Sequence, residues 1–205
     1  MSFSDRYGSV KTFQAFLRQH RLVFACAESC TGGLLSREMT ASAGSSDVFW
    51  GGAVTYADEA KTALLGVPAA LLASEGAVSS AVALAMVGGL VERSGVPLAV
   101  SVTGIAGPGG GSAGKPVGTV WFGLSALRGD RRADAAVRFR FRGGRHAVQA
   151  ASARWARVLA AVWWTSGMHL DSLRALSDNA GKPFEPAVDG PLPPHSPLKP
   201  SPSKP

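Results

Sequence analysis

Leu22-Val23-Phe24-Ala25-Cys26-Ala27, followed at once by Glu28-Ser29-Cys30-Thr31-Gly32-Gly33, decides the fold class of this 205-residue chain. The first six residues are an unbroken apolar run of strand length, the pattern of a strand buried on both faces. The next six are small or polar and form a turn, and Thr31 to Thr40 reads as the helix that follows. Ser29 therefore stands at the carboxyl edge of a buried strand, where open α/β sheets place their ligands. The backbone N–H groups from Cys30 to Gly33 are expected to be free at the helix start, able to hold a phosphate or an oxyanion. The same residues also fit a simpler role, with Ser29 or Thr31 capping the helix.

Working outward, strand and helix patterns alternate. Val10, Phe13, Phe16 and Leu17 recur at helical spacing within Asp5 to Gln19. Phe49 to Tyr56 reads as a second strand, with Asp58 placed to cap a helix running through Leu65. Ser79 or Ser80 starts a helix to Arg93 that is apolar all round, hence buried. Leu98 to Val102 is a third strand and Thr119 to Ala126 a fourth. From Ala135 to Arg142, Val137, Phe139 and Phe141 alternate with Arg138, Arg140 and Arg142, the period of a half-exposed strand near a sheet edge. A last helix covers His146 to Trp164. Strands separated by helices, then two strands in succession, predict a three-layer α/β/α sandwich with a mixed sheet.

The longest apolar run, Ala81 to Val91, is too short for a membrane span, which needs roughly 18–20 residues. The first residues lack the basic-then-apolar pattern of a signal peptide. Two cysteines cannot make a disulfide scaffold, so a cytoplasmic setting is the expectation. Cys26 and Cys30 lack companion ligands and read as packing residues rather than a metal site. The net charge of +7 favours anionic partners, nucleic acid or a phosphorylated small molecule. Much of it sits in arginines between Arg128 and Arg157, of which Arg138, Arg140 and Arg142 read first as a wet strand face. Nine prolines fall between Lys182 and Pro205, a composition that cannot build a core. The expected organisation is a domain over 1–166 and a Pro-rich tail over 167–205, either a docking ligand or a solvated extension.

Two further segments carry chemistry. In Thr55-Tyr56-Ala57-Asp58-Glu59-Ala60-Lys61, Tyr56 closes a strand and Lys61 lies in the first turn of a helix, over the same edge as Ser29. A serine needs a base to become a nucleophile, and a desolvated lysine with a tyrosine relay supplies one. The competing reading is a surface lysine paired with Glu59 or Asp58. From Thr103 to Gly118, seven of 16 residues are glycine. Gly109, Gly111 and Gly114 match a dinucleotide-binding spacing, and Gly109 to Lys115 most of a phosphate-binding loop. Both motifs require a helix next, whereas Pro116 and a strand follow, so both are rejected. What remains is a loop opened by Thr103 and Gly104 that walls a pocket or merely connects strands.

Together, Ala27-Glu28-Ser29-Cys30-Thr31-Gly32-Gly33, Thr55-Tyr56-Ala57-Asp58-Glu59-Ala60-Lys61, Gly76-Ala77-Val78-Ser79, Thr103-Gly104-Ile105-Ala106-Gly107-Pro108 and Lys115-Pro116-Val117-Gly118 resemble the CinA C-terminal domain family, the nicotinamide-nucleotide amidohydrolases. The resemblance spans most of residues 10–165. It implies an α/β sandwich that hydrolyses the carboxamide of nicotinamide mononucleotide to nicotinic acid mononucleotide and ammonia, with no metal or organic cofactor. Larger members carry an extra domain in front, for which this chain has no room, so a stand-alone deamidase is expected. The chain departs from the family pattern at Ser80, where an acid is common, at Gly109, where an aspartate is common, and at Asp58, where an asparagine is common. None of the three falls on the expected nucleophile or base.

The expected mechanism has Ser29 attacking the carboxamide and a neutral Lys61 taking its proton, with Tyr56 relaying or orienting it. Thr31, Gly32, Gly33, Thr103 and Gly104 line the substrate site, and Arg145, at the start of the last helix, binds the substrate phosphate. The alternative is a non-catalytic module binding nucleotide or nucleic acid through the arginine-rich strand, linked to competence or a DNA-damage response. The apolar last helix suggests a homo-oligomer.

Overall fold

The computed structural model describes residues 6–179, and the Pro-rich stretch from Lys182 lies outside them. Helix α1, Val10–Gln19, is started by Ser9, whose hydroxyl accepts from the Thr12 N–H. Strand β1, Phe24–Glu28, and helix α2, Leu34–Met39, flank the turn that carries Ser29. A short 3₁₀ turn, Ser45–Asp47, leads into β2, Phe49–Val54. Helices α3, Asp58–Leu65, α4, Ala69–Glu75, and α5, Ser80–Ser94, come before β3, Leu98–Gly104. Strands β4, Thr119–Arg128, and β5, Arg131–Arg140, form a hairpin, and α6, Arg145–Thr165, and α7, Leu170–Asn179, complete the chain.

The sheet order is β2-β1-β3-β4-β5. The first three strands are parallel and the last two antiparallel, which gives the expected mixed sheet. Alternate residues of β1 feed two cores. Phe24 and Cys26 face the layer of α1, α2 and α6, while Ala25 and Ala27 face α3 to α5. This is why the run from Leu22 is apolar without alternation. Alanines on the second face let α5 lie close. The Ser101 hydroxyl donates to the Ala83 carbonyl at 2.6 Å, and a Cβ on Gly123 would stand 2.3 Å from that same oxygen. Another close approach joins α5 to α3, where a Cβ on Gly89 would meet the Leu65 carbonyl oxygen.

Several boundaries differ from the expectations. Helix α2 begins at Leu34, not Thr31, because Gly32 and Gly33 take φ of +62° and +94° in a turn that brings the chain round. Strand β5 begins at Arg131 because Gly129 and Asp130 alone make the hairpin turn, and it ends before Phe141. Helix α4 and the 3₁₀ turn have no counterpart in the sequence reading. Past residue 166 the chain continues as α7, which buries Leu173 and Leu176 against the core. Among the described residues, no helix is long and apolar enough to cross a membrane.

Candidate active site

Ser29, Cys30, Tyr56, Asp58, Lys61, Ala77, Val78, Thr103, Gly104, Ala106 and Arg145 line a cavity of about 190 Å³ at the carboxyl ends of β1, β2 and β3. The ladder of the parallel strands runs into the site. The Ser29 N–H donates to the Val102 carbonyl (2.9 Å) and the Thr55 N–H to the Glu28 carbonyl (2.7 Å). The Thr103 hydroxyl donates to the Ala77 carbonyl (2.8 Å) and fixes the segment before α5 as the far wall.

The turn after β1 is held from behind. Glu28 is fully buried, and its carboxylate accepts from the Leu35 N–H (3.0 Å), the Ser36 N–H (2.8 Å) and the Ser36 hydroxyl (2.6 Å). The start of α2 is therefore capped by the chain itself. The Gly32 N–H is also used, donating to the Ser29 carbonyl at 3.0 Å. The expectation of free N–H groups from Cys30 to Gly33 is corrected at Gly32, because the turn closes on itself there. The Cys30 and Thr31 N–H groups carry no hydrogen bond among the described residues. The Cys30 carbonyl accepts from the Gln149 amide of α6 at 3.0 Å, which ties the turn to the last long helix.

Of the expected site residues, Ser29, Lys61, Tyr56, Thr103, Gly104 and Arg145 meet at the pocket, whereas Thr31, Gly32 and Gly33 are not among its lining. Thr31 is buried, and its hydroxyl has no partner among the described residues. The Ser29 hydroxyl likewise makes no hydrogen bond among them, Lys61 included. Lys61 is 1% exposed, so it does not lie on a wet surface. Its Nζ donates to Asp58 Oδ1 at 3.0 Å and to the Tyr56 carbonyl at 3.2 Å. The competing reading is thus right about the Asp58 partner and corrected on the surface position: Lys61 is ion-paired with Asp58, but it is buried.

Tyr56 reaches Lys61 through its backbone, not its phenol. Its side chain is 58% exposed, and its hydroxyl accepts from Arg145 Nη2 at 2.7 Å. Arg145 Nη1 donates to the Gly107 carbonyl at 3.0 Å, so the guanidinium straps the glycine-rich loop to the end of β2 across the pocket mouth. Asp58 reads from the sequence as a helix cap. In the structure Ala57 is the cap residue, Asp58 opens α3, and its carboxylate turns to Lys61. The departure at Asp58 therefore does fall on the expected base, contrary to the sequence reading.

Burial pushes the Cys30 thiol up to about 12 and the Cys26 thiol well above the ordinary thiol range. A thiol so disposed carries negligible thiolate at neutral pH. No group of three or more His, Cys, Asp or Glu suited to a metal occurs among the described residues. The arginine strand lies apart from the pocket lining, with the Arg138 guanidinium 5.9 Å from the Trp121 ring centroid and Arg140 exposed on the sheet edge.

The family model of the CinA C-terminal domain matches residues 8–161 of this sequence. The chain belongs to the CinA C-terminal domain family. A CinA-like protein of Geobacter sulfurreducens is 52% identical over 136 residues, 66% of this chain and 32% of the relative. One from Citrifermentans bemidjiense is 52% identical over 133 residues, 65% of this chain and 31% of the relative. The chain thus spans about a third of the length of the curated relatives it matches. Among solved structures, a competence-damaged protein (CinA) superfamily protein of Klebsiella pneumoniae superposes with a TM-score of 0.69 at 33% identity, covering 81% of this chain and 99% of that one. The competence/damage-inducible protein CihA of Agrobacterium tumefaciens gives 0.67 at 38% identity, covering 78% and 96%. The CinA fold thus carries a pocket in this chain built from the carboxyl ends of β1, β2 and β3 and the starts of α3, α5 and α6.

Proposed function

We propose that this chain is an amidohydrolase that converts the carboxamide of nicotinamide mononucleotide to the carboxylate, releasing ammonia. The observation that carries the reading is one pocket lined by the Ser29 hydroxyl, the buried Lys61 amine and the Arg145 guanidinium. At about 190 Å³ the cavity falls below the roughly 300–1,000 Å³ of drug-sized sites. It suits a ring bearing an amide, with ribose and phosphate left at the mouth. There Arg145 exchanges the Tyr56 hydroxyl and the Gly107 carbonyl for the phosphate, which it binds bidentately.

Ser29 Oγ attacks the carboxamide carbon as Lys61, in its amine form, accepts the hydroxyl proton. The N–H groups of Cys30 and Thr31 receive the developing oxyanion. Lys61 passes the proton to the leaving nitrogen, the C–N bond breaks and ammonia departs. Water then attacks the Ser29 ester, Lys61 takes its proton and returns it to Ser29 Oγ, and the carboxylate product leaves. Tyr56 orients Lys61 with its main-chain carbonyl. For Lys61 to serve, its bond to Asp58 must open.

The test is ammonia release from nicotinamide mononucleotide by the wild type and by Ser29→Ala. We expect the variant to lose at least about a thousandfold in kcat, as removal of a covalent nucleophile does. Equal rates in the two remove Ser29 from the mechanism.

A further inference from the structure

Asp58 is the one carboxylate among the residues lining the pocket, against two cations, Lys61 and Arg145. Glu28 is turned away and held by Leu35 and Ser36. The Asp58 side chain is 52% exposed, with Oδ1 on Lys61 and Oδ2 without a hydrogen bond among the described residues. It reaches from the buried amine to the open side of the cavity. We infer that Asp58 is the residue that selects a positively charged ring, taking an N-substituted pyridinium as counter-ion in place of the Lys61 ammonium. This rests on the reading of the site given above and narrows its substrate to the cationic, oxidised form of the nicotinamide ring.

The argument is electrostatic. With Asp58 neutralised by mutation, the pocket would present only the basic groups Lys61 and Arg145, and a cationic ring would find no opposite charge there. With Asp58 present, the ring finds an opposite charge at the mouth. Its approach also brings a like charge to Lys61 and competes for the same carboxylate, so the amine is drawn off Asp58 as the carboxamide arrives. Arg145 is occupied by Tyr56 and Gly107 and, in the proposed function, is assigned to the phosphate. The 1,4-dihydro form of the same mononucleotide has nearly the same shape and a neutral ring. It gains nothing from Asp58 and leaves Lys61 parked.

The experiment compares the oxidised and reduced mononucleotides. Binding is measured by calorimetry to Ser29→Ala, to Ser29→Ala with Asp58→Asn, and to Ser29→Ala with Asp58→Glu. Turnover is measured as ammonia release by the wild type and by Asp58→Asn. We expect the oxidised form to bind Ser29→Ala at least about tenfold tighter than the reduced, as an opposite charge at a partly screened site gives. The preference should shrink to within about threefold with Asp58→Asn and persist with Asp58→Glu. The same ratio with and without Asp58, or no binding of either nucleotide, overturns the inference. Ammonia release with unchanged discrimination in Asp58→Asn overturns it while sparing the amidohydrolase reading. Charge-selective binding without any ammonia release upholds it and removes that reading instead.

Discussion

Replacing Glu28 by glutamine keeps the shape of the side chain and removes its charge. The carboxylate takes three N–H and O–H donors, the Leu35 and Ser36 N–H groups and the Ser36 hydroxyl, at 2.6–3.0 Å in a fully buried setting, with the Cys26 thiol a weaker fourth at 3.7 Å. A glutamine retains one acceptor oxygen. With that oxygen facing Ser36, its NH₂ opposes the Leu35 N–H, so one bond is lost and two become neutral. Hydrogen bonds to a charged group contribute about 1.5–3 kcal/mol each, and neutral ones about 0.5–1.5. The net loss for Glu28→Gln is therefore about 3.5–6 kcal/mol, a large share of the roughly 5–15 kcal/mol that stabilises a domain. Glu28→Ala strands all three donors and loses more, about 4.5–9 kcal/mol. Urea unfolding followed by circular dichroism measures both, with the slope of the transition confirming that the unfolded state is unchanged. A loss below about 1 kcal/mol for Glu28→Gln at constant slope would refute the claim that this carboxylate holds the start of α2 and, through it, the Ser29 turn.

Two further outcomes are expected. Gly89→Ala puts a Cβ 1.8 Å from the Leu65 carbonyl oxygen, so α3 and α5 must part; overpacking of about 1–3 kcal/mol should lower Tm by about 3–10 °C, and an unchanged melt contradicts the close crossing. Burial raises both thiols, so the folded chain keeps protons that the unfolded chain releases above about pH 9; stability from this source is complete below that pH and is lost as pH rises toward about 12. Urea midpoints taken across that window should fall less steeply in Cys30→Ala, and identical slopes in the two proteins speak against a buried, protonated Cys30.

Much of the sheet was legible because burial writes itself into composition. The unbroken run at β1, the all-apolar α5 and the alternating arginines of β5 each have one physical explanation, and each element is found with shifted ends. The convergence of Ser29, Lys61 and Thr103 followed from strand direction, since the carboxyl ends of parallel neighbours share one rim; Arg145 was chosen as a guanidinium at the start of the last helix. Side-chain partnerships were not legible. Asp58 in a first helical turn reads as a cap or, with Glu59, as the partner of a surface lysine, and nothing local says that Asp58 is the one chosen or that the pair forms on a buried Lys61. Glu28 closes an apolar strand, and only the fold shows that its carboxylate lands on α2. Tyr56 was placed correctly at the rim, but a residue type does not reveal that its phenol meets Arg145 while its carbonyl meets Lys61. Helix α7 escaped because it is short and lies beside a proline-rich composition, although Leu173 and Leu176 are spaced to share a helix face.

The strap at the pocket mouth has a kinetic side. Tyr56 and Arg145 are 89 residues apart, and Cys30 and Gln149 are 119 apart. Contacts between such distant points carry a far heavier loop-closure penalty than the hairpin of β4 and β5, which closes locally. Recovery of ligand binding after refolding therefore reports assembly of the whole molecule, whereas recovery of secondary-structure signal reports only its nearby pairings.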